Sequence, residues 1–317
     1  MAGGDGTDYQ ALVDEMRTAC DCLRWAVSAL NRSDVFLGHG NDDPRDEALA
    51  LLLHVLALPW DSDPRLLEAR LSRAERQAFA DLLRRRIAER VPVPYLTGIA
   101  WFAGLPFAVD ERVLIPRSPL AAMIEDRFAP WLDTGRAGRV LELCTGSGCI
   151  AIALCHAFPE GEVHATDISA DALAVAQANR LRHGCEMQLA LHAGDLYAGV
   201  PGRFGLIVSN PPYVDAGDMA TLPAEYRHEP ALALAAGEDG LDLVVRILDG
   251  AAGRLDDGGL LVVEVGNSAP ALEALFPQVP FTWPDLPHDA GGVFLLGADD
   301  VRAHAARFAA EARRRAG

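Results

Sequence analysis

The sequence predicts an α/β fold: a mostly parallel sheet, preceded by a small helical domain and a β-hairpin. Two observations carry this. Before residue 90 the apolar pattern is helical, and from about residue 138 short apolar runs alternate with helical segments. Runs at 139–143, 162–166, 187–192, 206–209 and 260–265 read as strands. Helices at 149–158, 170–183 and 242–254 supply crossovers between parallel neighbours. Two last runs, 281–283 and 292–296, leave no room for a helix between them, so an antiparallel strand is expected at the end of a seven-stranded sheet.

The elements before the sheet follow from local signals. Leu12, Met16, Ala19, Leu23, Ala26, Val27 and Leu30 form one helical stripe. A second helix covers 46–58 and is stopped by Pro59. A third starts at Ser72, with Glu75 completing a capping box, and runs to Arg90. Arg84, Arg85, Arg86 and Arg90 read as a solvated face of that helix. The Val-Pro-Val-Pro run at 91–94 closes the region, and Trp101, Phe102 and Phe107 around Gly104 predict a hairpin. The domains are therefore expected at 1–94 (helical), 95–116 (hairpin linker) and 117–317 (α/β). Residues 298–317 read as an exposed terminal helix, with Arg313, Arg314 and Arg315 a solvated tail.

Composition removes several classes of function. The 317 residues carry a formal charge of −17, which disfavours duplex DNA as partner, since phosphate binding needs a basic face. A basic protein would be steered toward such a surface. All 28 basic residues are Arg, which excludes a P-loop lysine, a Schiff-base lysine and a lysine general base. The six cysteines include no C-x-x-C pair and read as reduced thiols, and no metal site is expected. No apolar run is long enough to span a bilayer, and residues 1–5 lack a signal-peptide pattern, so a cytoplasmic protein without membrane contact is expected.

A glycine loop, Val140-Leu-Glu-Leu-Cys-Thr-Gly-Ser-Gly-Cys-Ile-Ala151, joins the first strand of the sheet to its helix. Gly146 and Gly148 let backbone approach a ligand at the positive end of that helix. Asp167 ends the next strand, 19 positions after Gly148, where a carboxylate can accept both hydroxyls of an adenosine ribose. Asp195, after the third strand, can take an adenine amino group, with Leu196 packed on the ring. The spacing also satisfies the dinucleotide fingerprint. Glu142 argues against a dinucleotide, because a carboxylate beside a pyrophosphate is unfavourable. S-adenosylmethionine has no phosphate and carries a sulfonium and an ammonium, and an acidic loop suits it better.

The run Phe204-Gly-Leu-Ile-Val-Ser-Asn-Pro-Pro-Tyr213 carries the chemistry. Its strand ends abruptly, because two prolines cannot continue a ladder. The tip offers acceptors to a planar NH₂ group: Asn210 Oδ1 and the Pro211 carbonyl take one hydrogen each, Pro212 stiffens the turn, and Tyr213 covers the face. An amide nitrogen is a weak nucleophile. Two acceptors on its hydrogens push electron density back onto it and hold it in line for transfer.

Together, Glu142 to Gly148, Asp167 and Asn210 to Tyr213 resemble the class I S-adenosylmethionine-dependent methyltransferases that act on glutamine side-chain amides, the protein-(glutamine-N5) methyltransferase family. Leu114-Ile-Pro-Arg117 and Ala236-Gly-Glu-Asp-Gly-Leu241 match as well. The resemblance implies a Rossmann-like, seven-stranded catalytic domain and S-adenosyl-L-methionine as cofactor. It implies that Asn210, Pro211, Pro212 and Tyr213 bind the target glutamine. Glu142, Cys144, Thr145, Gly146, Ser147, Gly148, Asp167, Ile168, Asp195, Leu196 and Asn210 would hold the cofactor, and the N-terminal helices would recognise the protein substrate. Of the family's two branches, one modifies peptide-chain release factors and the other large-subunit ribosomal protein L-three. Cys144 in place of a glycine, Arg117-Ser118-Pro119 and Glu225-Tyr-Arg-His-Glu-Pro230 look like the ribosomal branch. As a hypothesis, the charged residues Glu225, Arg227, His228 and Glu229 order the loop over the tip.

Three rivals remain. A DNA adenine-N6 methyltransferase shares the NH₂ logic but needs a basic cleft. A dehydrogenase is disfavoured by Glu142 and the Asn-Pro-Pro-Tyr tip, and a non-catalytic module by the presence of Gly146, Asp167 and Asn210.

Overall fold

A computed structural model describes residues 7–133, 135, 137–286 and 292–316. Residues 1–5, read above for a targeting signal, lie outside these. The chain divides into two compact units: Met1–Ala100 with Pro223–His228, and Trp101–Leu222 with Glu229–Gly317.

The first unit is helical: α1 (Tyr9–Glu15), α2 (Ala19–Arg32), α3 (Pro44–Leu56), α4 (Arg73–Ala88) and the single turn α5 (Val93–Thr97). The stripe from Leu12 to Leu30 proves to be two helices, because Met16 is extended and Thr18 opens α2 with a capping box to Asp21. Ser72 and Glu75 cap α4 in the same reciprocal way. Leu12, Cys22, Ala26, Leu51, Leu52, Phe79 and Leu83 fill the core.

The arginine face of α4 needs correction. Arg84 and Arg85 are exposed and reach Glu89, but Arg86 is fully buried. Its guanidinium donates to Glu47 at 2.8 and 3.0 Å, to Glu225 at 3.2 Å and to the Phe36 carbonyl at 2.7 Å. A buried cation is tolerated because two carboxylates neutralise it. Those partners lie 39 and 139 positions away, beyond the reach of a local pattern.

Strands β1 (Ile99–Phe102) and β2 (Leu105–Ala108) form a two-stranded sheet. Ala103 and Gly104 both have positive φ, as a two-residue type I′ turn requires.

The second unit continues with α6 (Leu120–Glu125), β3 (Arg139–Leu143), α7 (Cys149–Ala157), β4 (Glu162–Asp167), α8 (Ala170–Arg182), β5 (Leu189–Ala193), β6 (Phe204–Ser209) and α9 (Ala216–Thr221). Then follow α10 (Asp242–Ala251), β7 (Leu255–Glu264), α11 (Ala269–Leu275), β8 (Val293–Gly297) and α12 (Ala298–Ala316). Among the described residues the sheet has six strands in the order β5-β4-β3-β6-β7-β8. All neighbours are parallel except β7 and β8. Val140, Ile150, Val163 and Val208 pack one face, and Leu141, Ile207, Leu261 and Phe308 the other.

The seventh strand expected at 281–283 shrinks to a single antiparallel bridge, Thr282 to Leu295. Pro280 and Pro284 bracket those residues and remove the N–H groups a longer ladder needs. In the C-terminal tail Arg313 and Arg314 are exposed, as expected, but Arg315 is not. Arg315 donates to Asp239, to Asp242 at 2.9 Å and to Glu311 at 2.9 Å, so α12 is clamped to the loop before α10. No helix among the described residues is long and apolar enough to cross a membrane.

Candidate active site

Strand β3 is the switch point of the sheet, with β4 on one side and β6 on the other. Leu143 pairs with Thr166 of β4 and with Ser209 of β6. The glycine loop, Asp167 and Asn210 therefore leave the sheet at one level and on one edge.

Local bonds set the loop. The Thr145 N–H donates to the Thr166 carbonyl at 2.9 Å, and the Gly146 N–H to Asp167 Oδ2 at 2.9 Å. Asp167 Oδ1 accepts from the Ser169 N–H at 2.9 Å, so both carboxylate oxygens are oriented and each keeps a lone pair. Cys144, Gly146 and Gly148 have φ of +61°, +53° and +79°. The two glycines serve different ends. A Cβ on Gly148 would lie 3.2 Å from Ala176 Cβ on α8, whereas one on Gly146 would meet nothing within 4 Å. The first admits a neighbouring helix, and the second leaves space for a ligand. Cys144 occupies a backbone region that suits glycine, and burial pushes its thiol up to about 12, which makes it inert. Ile168 is 62% exposed beside Asp167.

Glu142 is buried and accepts from the Thr145 hydroxyl. Burial pushes its carboxyl up to about 8, opposed by that hydrogen bond and reinforced by Asp167. In the free protein it is largely neutral at pH 7. The electrostatic case against a pyrophosphate therefore rests on Asp167 rather than on Glu142.

Asn210 is half-buried, and no hydrogen bond ties up its side-chain amide among the described residues. Pro211 and Pro212 are buried. Tyr213 is packed tightly: a Cβ on Gly266 would lie 2.4 Å from its ring, and one on Gly240 would lie 2.2 Å from its carbonyl oxygen. Its hydroxyl donates to Glu264 Oε1 at 2.9 Å, and its carbonyl accepts from the Ser268 hydroxyl at 3.0 Å. At the turn after β5, Asp195 accepts from Arg246 of α10 at 2.6 Å. Leu196 takes φ +51° and packs into the core between sheet and α10. A cavity of about 590 Å³ lies between this turn, α10 and the end of α12, and its lining includes neither Gly146, Asp167 nor Asn210.

Several residues escaped the sequence reading. Glu264, at the end of β7, interrupts an apolar run as Glu142 does, and that signal was available. Asn179 of α8 joins β2 to the glycine loop. Its Oδ1 accepts from the Ala108 N–H at 2.7 Å, and its Nδ2 donates to the carbonyls of Ala108 and Ser147 at 2.9 Å each. In the charged run after the tip, Glu225 accepts from Arg86, Arg90 and the Phe36 N–H, and Glu229 accepts from Arg117 at 2.6 and 2.7 Å. Arg227, named with them in the sequence reading, is exposed.

Residues 126–225 match the Methyltransferase small domain, and residues 21–98 match the PrmC N-terminal domain. The ribosomal protein uL3 glutamine methyltransferase of Xanthomonas campestris is 46% identical over 299 residues, which is 94% of this chain and 97% of its own. The chain belongs to this methyltransferase family. The relatives of the same name from Bordetella pertussis and Burkholderia pseudomallei are each 47% identical, over 90% of this chain and 97% and 96% of theirs. As a member of the family, the protein is a methyltransferase that uses S-adenosylmethionine, and the dehydrogenase and non-catalytic readings of the loop fall away. The residues fit this methyl donor. Gly146 leaves room for it, and Asp167 keeps a lone pair on each carboxylate oxygen for ligand hydroxyls.

Proposed function

We propose that the protein methylates the side-chain amide nitrogen of a glutamine in ribosomal protein uL3. The observation that carries this reading is the register of Ser209 with Leu143, which sets the Asn-Pro-Pro-Tyr tip beside the glycine loop. The relatives' common name supports the choice of protein.

In this reading Asn210 Oδ1 and the Pro211 carbonyl accept the two hydrogens of the target amide. They hold its nitrogen and enrich it in electron density. The bound S-adenosylmethionine supplies an electrophilic methyl group. Glu142, Cys144 to Gly148, Asp167, Ile168, Asp195 and Leu196 hold the methyl donor, with Asn210 shared between the two substrates. The nitrogen sheds one hydrogen as a proton, and Asn210 Oδ1, a weak base, guides it toward water. Residues 1–94 recognise the protein substrate, 95–116 link, and 117–317 catalyse. The reaction takes place in the cytoplasm, where ribosomal proteins are made.

The test is a labelling experiment. Methyl-labelled S-adenosylmethionine is supplied with undermethylated ribosomal proteins, release factors and DNA, and the labelled residue is found by peptide fragmentation. Label on a glutamine of uL3 is expected. Label on a release factor would keep the chemistry and overturn the substrate. Label on DNA would overturn both.

A further inference from the structure

Glu264 is buried at the end of β7, and the transfer chemistry described above makes no use of it. Its Oε1 accepts from the Tyr213 hydroxyl at 2.9 Å, and its Oε2 accepts from the Ser118 hydroxyl. Ser118 belongs to the irregular run 114–118 before α6, and its hydroxyl oxygen also accepts from the Leu120 N–H at 3.2 Å. The same run is gripped a second time. Glu229 accepts from both terminal nitrogens of Arg117 at 2.6 and 2.7 Å and from the Ile115 N–H at 3.0 Å. Two buried carboxylates therefore brace one strap, and one of them continues to the tyrosine of the tip.

A buried carboxylate is costly unless its oxygens are satisfied, and here two hydroxyl donors satisfy them. The bonds run across 51 and 146 positions of sequence, so neither is a local turn bond. Glycines crowd the tyrosine from the other side. Gly266, at φ +47°, leaves no room for a Cβ against the ring, and Gly240 leaves none against the carbonyl. The ring is thus pressed by backbone and hung by its hydroxyl, and the hydroxyl bond sets its tilt.

We propose that Glu264 is a positioning residue for methyl transfer, which holds the Tyr213 ring at the angle that keeps the target amide in line. The proposal rests on reading Asn210 to Tyr213 as the amide site. Glu264 touches neither substrate; it acts through the tyrosine hydroxyl and is itself held by Ser118. An amide a fraction of an ångström out of line loses rate rather than affinity.

The experiment compares Tyr213→Phe, Glu264→Ala, Glu264→Gln and the double variant Tyr213→Phe/Glu264→Ala. Each is assayed on uL3 with S-adenosylmethionine, and affinity for S-adenosylhomocysteine is measured separately. Glu264→Ala and Tyr213→Phe are expected to lower kcat by about 10- to 100-fold, with KM for uL3 and cofactor affinity within about twofold. Glu264→Gln keeps an acceptor for the tyrosine and a donor for Ser118, and is expected to restore most of kcat. The double variant is expected to be no slower than Glu264→Ala, because both changes cut one bond. If Glu264→Ala does not fold, Tyr213→Phe, which deletes only the hydroxyl, decides the matter. Wild-type turnover by Tyr213→Phe, or additive losses in the double variant, would overturn the proposal. If Asn210→Ala also turned over normally, the amide-site reading itself would fall. If only Asn210→Ala is inactive, Glu264 alone is wrongly assigned.

Discussion

Glu142 and Glu264 each lie buried near the C-terminal end of an apolar strand, Glu142 with one hydroxyl donor and Glu264 with two. For Glu142 the consequence is a pH dependence. Its carboxyl lies near 8 in the folded protein against 4.5 when unfolded, so the native state holds the proton more tightly. The stability this contributes is complete below about pH 4.5 and is lost as pH rises through about 8. The Tm of the free protein should fall by a few degrees between pH 5 and pH 8, and Glu142→Gln should flatten that slope, both read by calorimetry. An unchanged slope in Glu142→Gln would place the titration elsewhere. At this scale the sequence was half legible. Glu142 stood out because the glycine loop follows it directly. Glu264 carries the same signature, but Tyr213 and Ser118, which give it meaning, are distant in sequence. Arg86 was misread for the same reason, since its partners come from α3 and from the run after the tip.

Among elements, the loop between β3 and α7 shows how backbone conformation divides labour between two glycines. Gly148 lies against α8 and Gly146 faces open space, although both are left-handed. Gly148→Ala should cost about 1–3 kcal/mol of stability from φ strain and crowding of Ala176. Gly146→Ala carries the strain without the crowding, so its main effect should be weaker cofactor binding. Thermal melts and titration with S-adenosylhomocysteine separate the two, and equal affinity losses would contradict the assignment. The element pattern itself was readable, because strands and crossover helices announce themselves by period. The misses have plain causes. A capping box at Thr18 outweighed a continuous apolar stripe. Two prolines reduced a strand to one bridge. Arg315 appeared free only because Asp239 and Asp242 are far off in sequence.

For the whole molecule, a parallel sheet with its switch point at β3 brings three separated motifs to one edge. Periodicity predicted a mostly parallel sheet, and the strand order and the register of Leu143 with Thr166 and Ser209 give the arrangement its geometry. The charge of −17 suits a basic protein substrate better than a nucleic acid. The central claim is that Asn210 holds the amide that receives the methyl group. It is tested most directly by the single-turnover rate of methyl transfer to purified uL3, followed by intact mass at saturating S-adenosylmethionine, for the wild type and for Asn210→Ala. The account predicts a rate lower by about 100-fold or more in the variant, since orientation and electrostatic enrichment are both lost. A variant within a few-fold of wild type would contradict it.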